Sequence, residues 1–363
     1  MNNESTKTRE YQKYLQGYKG LACMLIMLMH YLGLYKYSHG FEPKFVIVDT
    51  ILDSKLDFVL NEGFWLYGFF VISGYLVAKS SIDSFMDVIK KSFIRFLRFA
   101  LPIIFSYFVI FIVYKCIGFH NADTVQLFDC GWYQSYFDST YTIVDVLKGP
   151  FDVLLLANTS LNAPYWVLKS MFFSSILIYC LKYVYSRLNK KHESICFMIL
   201  FGVTVLSEVF LNSVFTACLF GMMVEIYYHQ IETISKKSYF ACGVMITGIL
   251  IYIWPDPVIS AIFFATVLIY VPRVKVLNDI LSSNIFQFGG KISWGVFSFH
   301  WPMICSFGAV IMLTLHKSMN VVPAYIIGCV ATIIITILIS TIYYYTFEKW
   351  TTCIVKKIAA MFR

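Results

Sequence analysis

The chain is divided into long apolar blocks separated by short polar connections, and this pattern constrains its fold more than any other feature. The blocks run to roughly 17 to 25 residues, the length that an α-helix needs to cross the hydrocarbon core of a membrane. Of the 363 residues, 59% are hydrophobic and 14% are charged, and the mean hydropathy is +0.69. Because a soluble domain is about one quarter charged, this composition predicts an all-α polytopic integral membrane protein.

The blocks predict about ten transmembrane helices. Their expected bounds are residues 19–35, 64–79, 96–115, 165–185, 194–211, 214–229, 239–254, 257–271, 293–315 and 321–347. Residues 1–350 are expected to form one transmembrane domain, followed by a short basic cytoplasmic tail over residues 351–363 and no appended soluble domain. The cysteines are scattered without metal-ligand spacing, so no metal site is expected.

The charges alternate along the connections and predict the orientation. The N-terminal segment, every second connection and the tail are basic, with Lys7, Arg9, Lys13, Lys19, Lys79, Lys90, Lys91, Arg95, Arg187, Lys190, Lys191, Lys236, Lys237, Arg273, Lys275, Lys291, Lys349, Lys356, Lys357 and Arg363. The first and third connections are acidic, with Glu42, Asp49, Asp53, Asp57, Glu62, Asp123, Asp129, Asp138 and Asp145. By the positive-inside rule both termini are cytoplasmic. The net charge of +8 therefore indicates topology rather than a nucleic-acid partner.

One histidine, His30, lies deep inside the first block. Ionisable residues at membrane depth are costly and are functional candidates by default. Lys19 precedes His30 by eleven residues, a spacing that returns to nearly the same helix face about 16 Å away along the axis. A neutral imidazole at this depth is suited to general-base chemistry. The alternative is a core histidine that is hydrogen-bonded to another helix.

Two arginines, Arg95 and Arg98, begin the third predicted helix three residues apart. Their guanidinium groups repel each other unless an anion lies between them, and a phosphate fits their planar donor geometry. The alternatives are ordinary positive-inside flanking and lipid headgroup binding. Pro102, just downstream, predicts a kinked or broken helix.

Two further stretches place polar residues inside predicted helices. FFVISGYL contains Ser73 and Gly74, small residues that usually permit close helix packing. SWGVFSFHWP contains His300, followed by Trp301 and Pro302. For His300 we expect a structural kink in which the imidazole caps a carbonyl that Pro302 leaves free.

Taken together, these stretches resemble the acyltransferase-3 family of membrane acyltransferases, whose members commonly O-acetylate bacterial surface sugars. No single element is specific, but the set spans residues 14 to 350 in the family's order. The matching elements are Lys19 to His30, Phe69 to Gly74, Arg95 to Arg98, Trp166, Ser293 to Pro302 and Glu348.

The resemblance implies that His30 is the catalytic base. It implies a donor-binding site for the phosphates of an acyl-CoA, made by Lys19, Arg95 and Arg98. Supporting roles are expected for Ser73, Trp166, Lys169, His300 and Glu348. Acetyl-CoA is then a co-substrate, with no permanently bound cofactor. The other expected partners are a glycan or lipid-linked saccharide acceptor and membrane lipids, and the expected location is the bacterial cytoplasmic membrane.

Two elements depart from the family's usual pattern. QGYKG stands where members often have DGLRG, so Gln16 replaces an acidic residue and Lys19 replaces an arginine. Lysine keeps the charge but loses the bidentate fork. WVLKSM stands where many sugar acetylases have WSLxxE, which puts Met171 at the glutamate position. Glu208, near the end of the fifth predicted helix, is an alternative source of a carboxylate.

The preferred interpretation is a membrane O-acyltransferase, with acetyl as the expected group, acting on a sugar hydroxyl of an envelope or exported glycan. The alternative is a transporter or flippase, in which His30 and Lys169 form a proton or substrate path and Arg95 with Arg98 bind lipid headgroups. A third interpretation is a structural subunit of a glycan-assembly complex without catalysis. The absence of inverted repeats in the sequence counts against a transporter. The acceptor hydroxyl and the acyl length stay open.

Overall fold

The computed structural model describes residues 2–39, 41, 44–188, 193–228, 230 and 238–362, without the side chains of residues 2–12, 193 and 238–240. Part of the predicted charge alternation lies outside these described residues, namely Glu42, Lys190, Lys191, Lys236, Lys237, Arg363 and the side chains of Lys7 and Arg9. The described chain contains no β-strand, and its isolated β-bridge joins His39 and Asp129.

Helices account for nearly all of the described chain. The α-helices are α1 (Asn2–Lys36), α2 (Val46–Leu52), α3 (Glu62–Ala78), α4 (Phe85–Cys116), α5 (Gly131–Gln134), α6 (Ile143–Phe151), α7 (Trp166–Arg187), α8 (Glu193–Phe210), α9 (Ser213–Ile226), α10 (Ser238–Ile253), α11 (Pro257–Tyr270), α12 (Lys275–Ser282), α13 (Asn284–Met303), α14 (Ala309–His316), α15 (Val321–Tyr343) and α16 (Lys349–Met361). Short 3-10 helices cover Asp57–Leu60, Ala122–Gln126, Ala163–Tyr165 and Val271–Arg273, and π-helical segments cover Asp152–Leu156, Ile304–Gly308 and Tyr344–Glu348.

A helix lies at each of the ten predicted places, and the all-helical membrane architecture is confirmed. Within the described residues, five helices are long and apolar enough to cross a membrane: Lys13–Lys36, Phe85–Cys116, Ala163–Arg187, Asn284–His316 and Val321–Met361. A sixth span results if Pro257–Arg273 and Lys275–Ser282, which meet at 95°, are one span. Shorter apolar helices cover Glu62–Ala78, Ser194–Phe210, Ser213–Ile226 and Ala241–Ile253. Ten spans and cytoplasmic termini stay predictions.

Glycines bring two helix pairs into backbone contact. A Cβ at Gly20 of α1 would lie 2.5 Å from the Gly290 nitrogen of α13, and a Cβ at Gly74 of α3 would overlap the Cys218 carbonyl of α9. Small residues allow this close approach, which strengthens van der Waals packing between apolar helices. The prediction that Gly74 serves close packing is therefore confirmed.

Replacing Gly74 with leucine is expected to force α3 and α9 apart. Because the clash is with backbone atoms, the cost should reach the upper part of the overpacking range, about 3 kcal/mol. Thermal unfolding in detergent micelles measures the effect. Gly202→Leu is the matched control, because nothing lies within 4 Å of a Cβ placed there. Equal stability of the two variants would contradict the close contact.

Two of the helix-internal prolines, Pro102 and Pro302, are accommodated differently from expectation. Pro302 frees the Ser298 carbonyl four residues earlier, and this carbonyl accepts a hydrogen bond from Asn162 Nδ2 at 2.8 Å. His300 instead bonds the Val296 carbonyl of its own helix, so the prediction that His300 caps the freed carbonyl is wrong. The alternative of a broken helix at Pro102 is also wrong, because α4 continues through it.

A π-helical segment, Ile304–Gly308, follows Pro302 and fixes the connection between α4 and α6. The carbonyl of Cys305 accepts a hydrogen bond from the His120 amide at 2.9 Å. The carbonyl of Ile304 accepts one from the Tyr133 hydroxyl at 3.2 Å. π-Helical turns inside α-helices are frequent at functional sites, and here the turn anchors the connection that carries α5.

Candidate active site

A cavity of about 350 Å³ lies among α1, α3, α4, α7, α13 and the π-helical segment Tyr344–Glu348. Five of the site residues predicted from the sequence line it: Lys19, Ser73, Arg95, His300 and Glu348. These residues are up to 329 positions apart in the chain, from Lys19 to Glu348. The fold therefore brings together the elements on which the resemblance rests. Its remaining walls are mostly apolar, including Phe69, Phe70, Phe99, Leu168 and Phe297.

The charged side chains described in the cavity wall are Lys19, Arg95, Lys291 and Glu348, which gives an excess of positive charge. Arg95 is held in place: its Nε donates to Ser175 Oγ at 3.0 Å and its Nη2 donates to Ser73 Oγ at 2.9 Å. The guanidinium also lies 4.6 Å from the centroid of the Phe99 ring. A fixed cation in an apolar wall favours binding of an anionic group.

Glu348 and Lys19 interact electrostatically across the cavity without forming an ion pair within 4.0 Å. Glu348 ends the π-helical segment. Its Oε2 is buried and accepts no hydrogen bond from any described residue. A buried carboxylate oxygen without a donor is costly. Both charged groups are therefore available to a molecule that enters the cavity.

Four predicted site residues do not line the cavity: His30, which is described in the next paragraph, Arg98, Trp166 and Lys169. Arg98, one turn after Arg95, is exposed, so the two arginines do not share one pocket. Trp166 is 55% exposed, and neither it nor the half-buried Lys169 lines the cavity. Within the element WVLKSM, the cavity is instead lined by Val167, Leu168 and Met171.

His30 extends the face of α1 that lines the cavity. Gln16, Lys19, Cys23 and Ile26 line it, and His30 follows Ile26 by four residues, which keeps it on the same face. Its Nδ1 lies 2.9 Å from the Ile26 carbonyl oxygen. A carbonyl only accepts, so Nδ1 carries the proton and Nε2 keeps the lone pair that a general base needs. The alternative of a bond to another helix is not observed for His30.

His300 stands next to His30, with ring centroids 4.9 Å apart. It is 1% exposed and lines the cavity. Its Nδ1 lies 2.8 Å from the Val296 carbonyl, and its Nε2 has no hydrogen-bond partner among the described residues. The two imidazoles thus form a pair at the His30 end of this α1 face. In both, Nδ1 is hydrogen-bonded to a backbone carbonyl of its own helix.

Sequence reasoning assigned no site role to three residues that the structure places here. Lys291 and Trp294 lie three residues apart on α13, and both line the cavity. This i, i+3 spacing was a signal for Trp294. Glu62, at the start of α3, interacts electrostatically with His30. The sequence analysis treated Glu62 only as an acidic residue of the first connection, because a sequence does not show which helix end faces His30.

Both departures from the family pattern fall on the cavity wall. Gln16 and Met171 line it, so this cavity lacks two carboxylates that relatives with DGLRG and WSLxxE would have there. Glu208 lies in α8 and does not line the cavity. Among the described residues that line the cavity, Glu348 is thus the one with a carboxylate side chain.

Comparison with known proteins gives one family. The acyltransferase domain of the acyltransferase-3 family matches residues 12–341, which include the elements from Lys19 to Pro302. No curated protein and no solved structure matches the chain. The match covers nearly the whole chain, and the cavity collects the residues of its elements. The chain therefore belongs to the acyltransferase-3 family of membrane acyltransferases.

Proposed function

We propose that the protein is an O-acyltransferase that moves an acyl group, expected to be acetyl, from acyl-CoA to a sugar hydroxyl of an envelope or exported glycan. One observation carries the proposal: in a chain of this family, fixed cations and His300 line a single cavity, and the His30 ring lies against His300, with ring centroids 4.9 Å apart. The cations suit the polyanionic end of the donor. The histidines suit proton transfer at the thioester.

The donor is proposed to bind with its phosphates near Lys19, Arg95 and Lys291. The α1 helix separates Lys19 from His30 by about 16 Å along its axis, and the phosphates of CoA are far from its thioester. A long donor can therefore contact both. Apolar walls between them exclude water, which protects the thioester from hydrolysis. Arg98, exposed one turn away, contributes long-range attraction rather than a direct contact.

His30 is proposed to act through Nε2. It accepts the proton of the acceptor hydroxyl as the hydroxyl oxygen attacks the thioester carbonyl. The tetrahedral intermediate then collapses, the C–S bond breaks and the imidazolium returns the proton to the departing thiolate. The products are the O-acyl ester and free CoA. Glu62 stabilises the transient positive charge on His30 from the start of α3.

The proposal is tested with purified protein in nanodiscs, radiolabelled acetyl-CoA and envelope glycan from the host that mild alkali has stripped of esters. We expect base-labile label to appear on the glycan, together with one free thiol per ester formed. Heat-inactivated protein is the control. Parallel reactions with longer acyl-CoA donors determine the acyl preference. Absence of label with every donor would contradict the proposed function.

A further inference from the structure

The face of α1 that lines the cavity continues past His30 to an exposed tryptophan. Gly33 follows His30 by three residues, and a Cβ at Gly33 would lie 3.4 Å from Cζ2 of Trp132. The indole of Trp132 therefore rests on α1 one helical turn beyond His30. Trp132 belongs to α5 and is 39% exposed. It stands on the opposite side of His30 from Lys19.

Trp132 is connected to His30 through a buried tryptophan. The rings of Trp132 and Trp301 are stacked, with centroids 5.0 Å apart and an interplanar angle of 21°. The Trp301 ring contacts His30 edge to face, with centroids 5.7 Å apart. His30 is partly exposed although it does not line the cavity. The rings of Trp132, Trp301 and His30 therefore form a continuous row of contacts that reaches the protein surface at Trp132.

Hydrogen bonds hold this surface in one geometry. Asn121, which is 1% exposed, donates through Nδ2 to the carbonyls of Tyr133 and Tyr136 at 2.8 and 2.6 Å. Gln134 Nε2 donates to the Phe128 carbonyl at 2.6 Å. The hydroxyl of Tyr133 reaches the π-helical carbonyl of Ile304. A tryptophan that merely anchors a helix in the lipid interface does not need this fixed support.

A second observation points to a polar ligand. Trp301 is 1% exposed, and its Nε1 donor has no hydrogen-bond partner among the described residues. Buried donors are nearly always satisfied. An oxygen acceptor would satisfy this donor, and an apolar ring face would pack on the exposed indole of Trp132. A pyranose has this character, because its C–H face is apolar and its edge carries hydroxyl groups.

We infer that Trp132, supported by Trp301, is the platform on which the saccharide acceptor stacks, so that one of its hydroxyl groups lies at His30. This inference rests on the proposed function and assigns it an acceptor-binding residue. The donor then enters through the cationic cavity, the acceptor approaches over Trp132, and His30 stands between them. Flat stacking on an indole recognises a sugar ring with little dependence on which hydroxyl is acylated.

The test compares Trp132→Leu, Trp132→Ala and Trp132→Phe in nanodiscs, with acetyl-CoA and the de-esterified host glycan as probes. Leucine keeps apolar packing on Trp301 but removes the flat aromatic face, and phenylalanine keeps that face. We expect the KM for the glycan to rise about tenfold in the leucine and alanine variants. We expect it to stay within about threefold in the phenylalanine variant. The KM for acetyl-CoA should not change.

The matched control is Trp254→Ala, because Trp254 is a tryptophan that is 70% exposed and lies outside the site. It should leave both KM values unchanged. An unchanged glycan KM in Trp132→Leu would overturn the inference, as would an equal rise in both KM values with a lower melting temperature. Those results would leave transfer by the wild-type protein, and thus the proposed function, intact. No transfer by the wild type would contradict the function and the inference together.

Discussion

Replacing His30 with alanine is expected to lower the rate of acyl transfer by about 10²–10⁴-fold, the usual contribution of a positioned general base. The lone pair on Nε2 is lost, and we do not expect the neighbouring His300, which is 1% exposed, to replace it. The donor cations are untouched, so the KM for acyl-CoA should change little. Initial rates with saturating glycan and varied acetyl-CoA measure both quantities.

The control for His30 is His316→Ala. His316 is an exposed histidine at the end of α14, and its loss should leave the rate at the wild-type value. If His30→Ala kept more than about a tenth of the wild-type rate, the general-base role would be untenable. A fall caused by misfolding would also lower binding of CoA, which calorimetry with CoA alone detects.

Replacing Arg95 with glutamine is expected to weaken binding of acyl-CoA by about 30-fold, because Arg95 is a partly buried, hydrogen-bonded charge and truncating a buried charge costs about 2–5 kcal/mol. Hydrogen bonds to Ser73 and Ser175 hold the guanidinium in place. The side chain therefore loses little conformational entropy when the donor binds. The dissociation constant of CoA, measured by calorimetry in nanodiscs, reports the change. The rate at saturating donor should fall much less.

Arg98→Gln is the matched control, with the same charge change three residues away. Because Arg98 is exposed, its contribution is screened by solvent and should be within about threefold at physiological salt. Equal losses in both variants would indicate that net charge at the surface, rather than a fixed contact in the cavity, governs donor binding. A loss for Arg98 alone would contradict the placement of the donor phosphates.

Much of the fold followed from the sequence because apolar blocks of membrane length have few alternatives to helices. The same pattern did not determine the number of spans. The helix α3 covers 17 residues and α9 covers 14, lengths near or below what a straight crossing requires. The helix α1, by contrast, begins at Asn2, well before the apolar block, because polar residues outside a membrane core can extend a helix.

His30 stood out in the sequence because an ionisable residue is costly at membrane depth. Lys19, Arg95 and Glu348 were identified through the elements that resemble the family, and all three line the cavity. The direction of a side chain was not predictable in the same way. Arg98 and Trp166 share motifs with cavity residues, but one residue's difference in helix phase turns a side chain by about 100°.

Contacts between segments that are distant in the chain could not be predicted from the sequence. The bond from Asn162 to the Ser298 carbonyl replaces the expected cap by His300, and no local pattern connects positions 136 residues apart. Trp132 lies in a polar connection where tryptophan is common at membrane interfaces. Only the stacking on Trp301 and the contact with Gly33 distinguish it from such a residue.

The most direct test of the account expresses the wild type and His30→Ala at matched membrane levels in the native host. The masses of the surface glycans are measured by mass spectrometry before and after treatment with mild alkali. The account predicts a base-labile acyl mass with the wild type, shown by its size to be acetyl, and loss of that mass with His30→Ala. Glycans without such an ester in either strain, accompanied by changed glycan export, would contradict it and favour a transporter.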